Sequence, residues 1–360
     1  DYSFNFIKDI EVDLNDDYKW SLLGVENDSN GSFYVINSFL KDYSPGLKII
    51  KLDNSLNIQD DFSNSGYHEE LLKSTNVQKL IKFKIFDKHI YLLTQDNNNK
   101  QISYSVHTID LDNPNDLVVL INSIDDVNHK SNFFPKDFEI NSDGVFIAGT
   151  TDYASSSISQ GKRTYDHFVE KYNLQGSLDN NFATNGIFQF DHGDTEKLSG
   201  LEIQDDGKIL IYGINWLEMA SDAIATRLNA DGSIDTSFGV DGTTLVDKFL
   251  QDREFSIDDR GREEANDLFI SEEGYIYVVG TKYIGWTSEY TEYNQNSSEN
   301  QTNLSASNGQ YESAIWKYDS NGKIVEDFGN HREYSNGSIP GLKTLNISGD
   351  DKIQRIFSVD

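Results

Sequence analysis

Four fifteen-residue stretches of the chain align without gaps: LDNSLNIQDDFSNSG from Leu52, YNLQGSLDNNFATNG from Tyr172, LNADGSIDTSFGVDG from Leu228 and YDSNGKIVEDFGNHR from Tyr318. Each opens on an apolar residue and passes through a polar turn. An apolar residue returns six positions later, and a Phe follows four positions beyond that (Phe62, Phe182, Phe238, Phe328). Such repetition means one structural unit used several times, each burying its faces against its neighbours.

A second half-motif precedes the first, namely a Gly-containing polar turn followed by a short β-rich run. It reads NDSNGSFYVIN from Asn27, NSDGVFIAGT from Asn141, QDDGKILIYG from Gln204 and SEEGYIYVVG from Ser271. Asn-Gly and Asp-Gly between alternating apolar residues favour hairpins, because the tight turns need positive φ. Each unit therefore holds about four short strands, and units begin near Gly24, Val77, Lys136, Gly200, Ala265 and Gly341. The second keeps its first hairpin, with Asp87-Lys88 as the turn, but HTIDLDNPNDLVVL carries no Phe.

Four-stranded antiparallel units without helices predict an all-β β-propeller rather than a β-solenoid, whose shorter coils need no internal hairpins. The unit from Gly341 supplies about half a blade, and the strand-like segment from Phe4 to Asp13 belongs to no other unit. The simplest reading is a single domain over 1–360 with six blades, the last completed by residues 1–20. The chain opens on Asp1 with no signal-like segment, which suggests a processed form or a piece of a longer protein.

The formal net charge is −30, from 30 Lys+Arg against 60 Asp+Glu. That balance argues against nucleic acid and anionic membranes, whose phosphates are held by Lys and Arg. No run reaches the roughly 18 apolar residues of a membrane span. The chain has no Cys, so disulfides and thiol chemistry are excluded. Seven His are scattered without metal-ligand spacing, and GxSxG and phosphate loops are absent.

The stretch from Phe190 to Gly242, with FDHGDTEKLSGLEIQDDGKILIYG and AIATRLNADGSIDTSFGVDG, resembles the delta-60 repeat of bacterial secreted proteins. GTTDYASSS and TYDHFVEKYNLQGSL are similar to the related bacterial β-propeller (SBBP-like) repeat. The resemblance spans about two thirds of the chain. It implies propeller blades of secreted or cell-surface bacterial proteins and no defined catalytic residues. Gln59 and Val325 stand where the pattern has the Asp seen at Asp179 and Asp235, and Arg332 stands where Gly186 and Gly242 close their turns. Looser turns are expected there.

Candidate sites fall mostly where the repeat is interrupted. The recurring Phe62, Phe182, Phe238 and Phe328 read as aromatic plugs of the blades. Asp191, Asp194 and Glu196 in one connection, and Asp252, Asp258 and Asp259 in QDREFSIDDRGREEAND, offer hard oxygen ligands of the kind Ca²⁺ takes. Arg253, Arg260 and Arg262 in the second segment compete for those carboxylates. Asn229 to Asp235 superficially resembles a calcium loop, but hairpin chemistry alone demands its Asn, Asp and Gly. In the insertion from Lys282 to Gln310, Trp286, Tyr290 and Tyr293 form a candidate aromatic platform for a glycan. The sequence thus points to a non-catalytic secreted or surface module for binding or assembly, with a protein or glycan partner and possible membership of a larger chain. The alternative is a carbohydrate-active hydrolase with carboxylates at a channel mouth.

Overall fold

Turn chemistry sets the strand order. In a computed structural model of the protein, the described residues are 19–42, 44–63, 65–72, 77–98, 101–123, 132–152, 165–191, 195–217, 220–245, 263–284, 310–329, 333–334, 337–338 and 342–345. The regular elements among them are all β-strands, and no helix is long and apolar enough to cross a membrane. The first sheet runs β1 (Lys19–Asn27), β2 (Phe33–Lys41), β3 (Ser44–Leu52) and β4 (Tyr67–Leu71). The second runs β5 (Val77–Phe86), β6 (His89–Asn98), β7 (Gln101–Asp110) and β8 (Leu117–Asn122). The third runs β9 (Phe133–Asn141), β10 (Gly144–Thr151), β11 (Asp166–Tyr172) and β12 (Ile187–Phe190). The fourth runs β13 (Thr195–Ile203), β14 (Ile209–Leu217), β15 (Ala220–Leu228) and β16 (Thr243–Leu245).

The fifth sheet holds β17 (Glu263–Ile270), β18 (Ile276–Ile284) and β19 (Gln310–Tyr318), and β22 (Leu342–Leu345) completes it. Between β19 and β22 lies a two-stranded ribbon, β20 (Glu333–Tyr334) with β21 (Gly337–Ser338). The stretch from Gly341, expected to open a sixth unit, thus supplies the fourth strand of the fifth. The inserted ribbon delays that strand. The expected closing segment, Phe4 to Asp13, lies outside the described residues. The chain divides into two compact units, Asp1–Phe190 with three sheets and Asp191–Asp360 with two.

The repeated stretch is one recurring piece of backbone. Its two apolar positions bridge each other in every copy: Leu52 with Ile58, Tyr172 with Leu178, Leu228 with Ile234 and Tyr318 with Ile324. Four residues past the repeated Phe, Gly66, Gly186 and Gly242 donate their N–H to the carbonyls of Phe62, Phe182 and Phe238 at 2.8–2.9 Å. Their φ values of 86–91° are ones that L side chains rarely adopt. Arg332, at the corresponding place, lies outside the described residues. Around Gln59 and Val325 the turn keeps the backbone bonds found at Asp179 and Asp235, Phe62 N–H to Gln59 O and Phe328 N–H to Val325 O, both 3.0 Å. The expected loosening is therefore absent from the backbone. What these copies lack is a carboxylate, since Asp179 reaches Lys171 at 3.2 Å and Asp235 reaches Arg227 at 2.8 Å.

The other half-motif closes on Gly149, Gly213 or Gly280 for a steric reason. Each sits opposite a bulge in the preceding strand. A Cβ there would lie 1.6–2.2 Å from the carbonyl oxygen of Phe134, Lys197 or Glu264. In the second sheet the predicted two-residue turn is present, with φ of 43° at Asp87 and 63° at Lys88.

Within the first unit, one face of the second sheet (Ile90, Leu92, Ile109) packs on Tyr34, Ile36, Leu47, Ile49 and Phe62 of the first. Its other face (Leu93, Tyr104, Val106, Ile121) packs on Phe138, Ile147 and Phe168 of the third. In the second unit, Phe238 joins Tyr212 and Ala225 against Leu268, Val278 and Trp316. Phe62, Phe182 and Phe238 are buried to 4%, 1% and 0% exposure. Phe328 is only partly buried and meets Tyr277 edge-on at 5.8 Å.

Candidate functional site

The structure divides the sequence candidates. Trp286, Tyr290 and Tyr293, with Asp194, Asp252, Asp258 and Asp259, lie outside the described residues. Asp191 is exposed just after β12, whereas Glu196 is 1% exposed on β13. Carboxylate oxygens of these two lie within 4.8 Å of one another. The loop from Asn229 to Asp235 is filled by its own chain. Asp231 accepts from the Ser233 N–H and hydroxyl, and Asp235 accepts from Ser237 and Arg227. Burial pushes Asp235 upward, but Ser237, Lys208 and Arg227 together hold its carboxyl well below the usual carboxylate range.

The first strands of the three sheets in the first unit approach one another, and their charges form a ladder. Lys82 on β5 reaches Asp137 at 2.5 Å and Glu139 at 3.0 Å on β9. Lys84 reaches Glu139 at 2.9 Å and Glu26 on β1 at 3.9 Å. Burial pulls Lys82 down, yet Asp137 and Glu139 outweigh it and hold the ammonium above its ordinary range. Alternation along a strand explains the pattern, because Lys82 and Lys84, like Asp137 and Glu139, share a face at two-residue spacing.

Deeper in the same unit, Glu170 on β11 is fully buried, and burial lifts its carboxyl to about 8 against the opposing bond from Tyr172. Tyr172 donates to Glu170 at 3.0 Å, and the Tyr172 and Tyr104 hydroxyls lie 2.9 Å apart.

A third feature went unread in the sequence. The face of the second sheet toward the first turns polar along its length, from Ile90 and Leu92 to Thr94 and Asp96, and from Ile109 to His107, Ser105 and Ser103. Thr94 Oγ1 lies 2.9 Å from Asp96 Oδ1 and 3.3 Å from His107 Nε2, and Ser105 Oγ donates to Asp96 Oδ2. With the hydroxyl proton of Thr94 on Asp96, its shortest contact, the Nε2–H of His107 donates to Thr94 and Nδ1 becomes an acceptor. That Nδ1 is buried and has no hydrogen-bond partner among the described residues. Burial keeps His107 below the ordinary imidazole range despite the pull of Asp96.

His107 is among the residues that line a cleft of about 270 Å³ beside the outer strands of the first two sheets, with Glu70, Asp116, Leu72, Leu117 and Val119. The available signal was the run of polar residues at alternate positions, Thr94 and Asp96 on β6 and Ser103, Ser105 and His107 on β7.

Five four-stranded antiparallel meanders, four of them sharing one turn geometry, define a protein of the β-propeller class. A family described as "Domain of unknown function (DUF5122) beta-propeller" matches residues 204–238, the hairpin and repeat stretch of the fourth sheet. No curated protein matches the chain. Among solved structures, an ACO/RPE65 chimera aligns at TM-score 0.48 and 8% identity over 93% of this chain and 65% of that one. The alpha-L-arabinofuranosidase CtGH43 from Clostridium thermocellum aligns at 0.36 and 12%, over 94% and 95%. A GH62 alpha-L-arabinofuranosidase catalytic domain from Coprinopsis cinerea aligns at 0.34 and 11%, over 78% and 95%. This chain thus spans just under two thirds of the first of these.

Proposed function

We propose that the chain is a non-catalytic β-propeller module of a secreted or cell-surface bacterial protein, used to bind a protein or glycan or to build an assembly. The observation that carries this reading is the charge ladder. Where the first strands of three sheets converge, the carboxylates of Asp137 and Glu139 are matched by Lys82 and Lys84. A glycosidase needs one carboxyl able to give up a proton and a second free to attack or to activate water. Asp137 and Glu139 are instead engaged in ion pairs with Lys82 and Lys84, which leaves neither carboxylate free to attack or to activate water.

The test is incubation with a panel of polysaccharides, read both as reducing-end release and as retardation in affinity electrophoresis. Retardation without release is the expected result. Release that disappears in Asp137→Asn or Glu139→Gln protein with its fold retained would favour the hydrolase instead.

A further inference from the structure

We propose that the cleft beside the outer strands of the first two sheets binds a small organic cation, a protonated amine or guanidinium on a short apolar chain. The inference deepens the reading of the chain as a binding module by naming a ligand class for one site. Three features on different elements converge on it. Glu70 on β4 and Asp116 in the β7–β8 connection put two acidic residues on the lining. Leu72, Leu117 and Val119 supply an apolar wall, and Val119 is 52% exposed although it lies on a strand. Between them sits His107, 2% exposed, with Nδ1 unpartnered.

A buried acceptor without a donor costs about 1–3 kcal/mol, so this arrangement gains most from a ligand that brings an N–H. With the Thr94 hydroxyl proton on Asp96, Nε2 donates to Thr94 and Nδ1 is the nitrogen left to accept. Its surroundings carry only negative formal charge among the lining residues, which disfavours anions and gives a cation an advantage over a neutral hydroxyl. The volume lies at the low end for ligand pockets, so the site suits a short chain rather than an oligosaccharide.

The experiment titrates the whole chain with n-butylammonium, n-butanol, butyrate and a blocked Gly-Lys-Gly tripeptide. Binding is followed by calorimetry and by the imidazole ¹⁵N signals of His107. The expected result is saturable binding of the cations with a shift at His107 Nδ1. Glu70→Gln and Asp116→Asn should each weaken it at least threefold. Tighter binding of the tripeptide than of the free amine assigns the cation to a partner's side chain, and the reverse order to a free metabolite-sized ligand. His107→Ala should abolish the binding. Because that change sits in a packed face, the two carboxylate variants keep the test decisive if it unfolds. Butanol or butyrate binding as tightly as butylammonium, or no saturable binding of either cation, overturns the proposal. That failure is distinguishable from failure of the module reading, which is marked by polysaccharide hydrolysis.

Discussion

The residue just before each repeated stretch is a cation, and its partners explain what it does. Lys51 lies 6.0 Å from the Phe62 ring and Lys317 5.8 Å from Phe328, while Arg227 stacks over Phe238 at 4.5 Å. Arg227 alone of these three reaches further, with Nε on Asp235 and a second nitrogen donating to the Ser320 carbonyl in the turn after β19. A planar fork does both at once and an ammonium cannot. Glu170 is the residue with the clearest pH signature. Its carboxyl is raised from 4.5 to about 8 by burial, so the folded state holds a proton that the unfolded state has already released. Its contribution is therefore fully present below about 4.5 and is lost as pH rises to about 8, at roughly 1.4 kcal/mol per pH unit. Glu170→Gln, which keeps an acceptor for Tyr172, is expected to flatten that decline. Melting temperatures between pH 5 and 8 check this, and parallel curves for the two proteins would count against it.

At the scale of the element, the repeat was legible because turns are local. The apolar pair six positions apart, the Gly that must accept positive φ and the Asp87-Lys88 hairpin are all written in short stretches of sequence. The His107 row was not legible, because its meaning depends on which face of the second sheet meets the first, and β6 and β7 give no sign of that by themselves. Nor was the delayed β22, since a ribbon of two residues per strand inserts between β19 and its partner. Burial separates the four repeated aromatic residues in a way their shared position does not. Phe238→Ala is expected to cost about 3–5 kcal/mol, as full removal of a core ring does. Phe328→Ala should cost less than half as much, given its partial exposure. Denaturant midpoints of the two variants make the comparison, and equal losses would contradict the assigned packing.

At the scale of the whole molecule, a chain of net charge −30 must keep its acids from repelling one another where strands converge. Composition predicts the excess, but it cannot say which acids are matched. The folded first unit matches those on β9 with the lysines of β5 and leaves Asp116 and Glu70 lining a cleft. By sequence, function is expected in the interruptions of the repeat. Among the described residues, a further buried polar cluster, Thr94, Asp96 and His107, lies inside the second sheet, whose HTIDLDNPNDLVVL stretch lacks the repeated Phe. The account stands on the carboxylates of the first strands being structural. A double-mutant cycle over Lys82→Met and Asp137→Asn, followed by calorimetric unfolding of the full chain, tests that most directly. The account predicts that the double variant is more stable than the two single losses sum to, by roughly 0.5–3 kcal/mol. Simple additivity, with Asp137→Asn leaving stability unchanged, would contradict it.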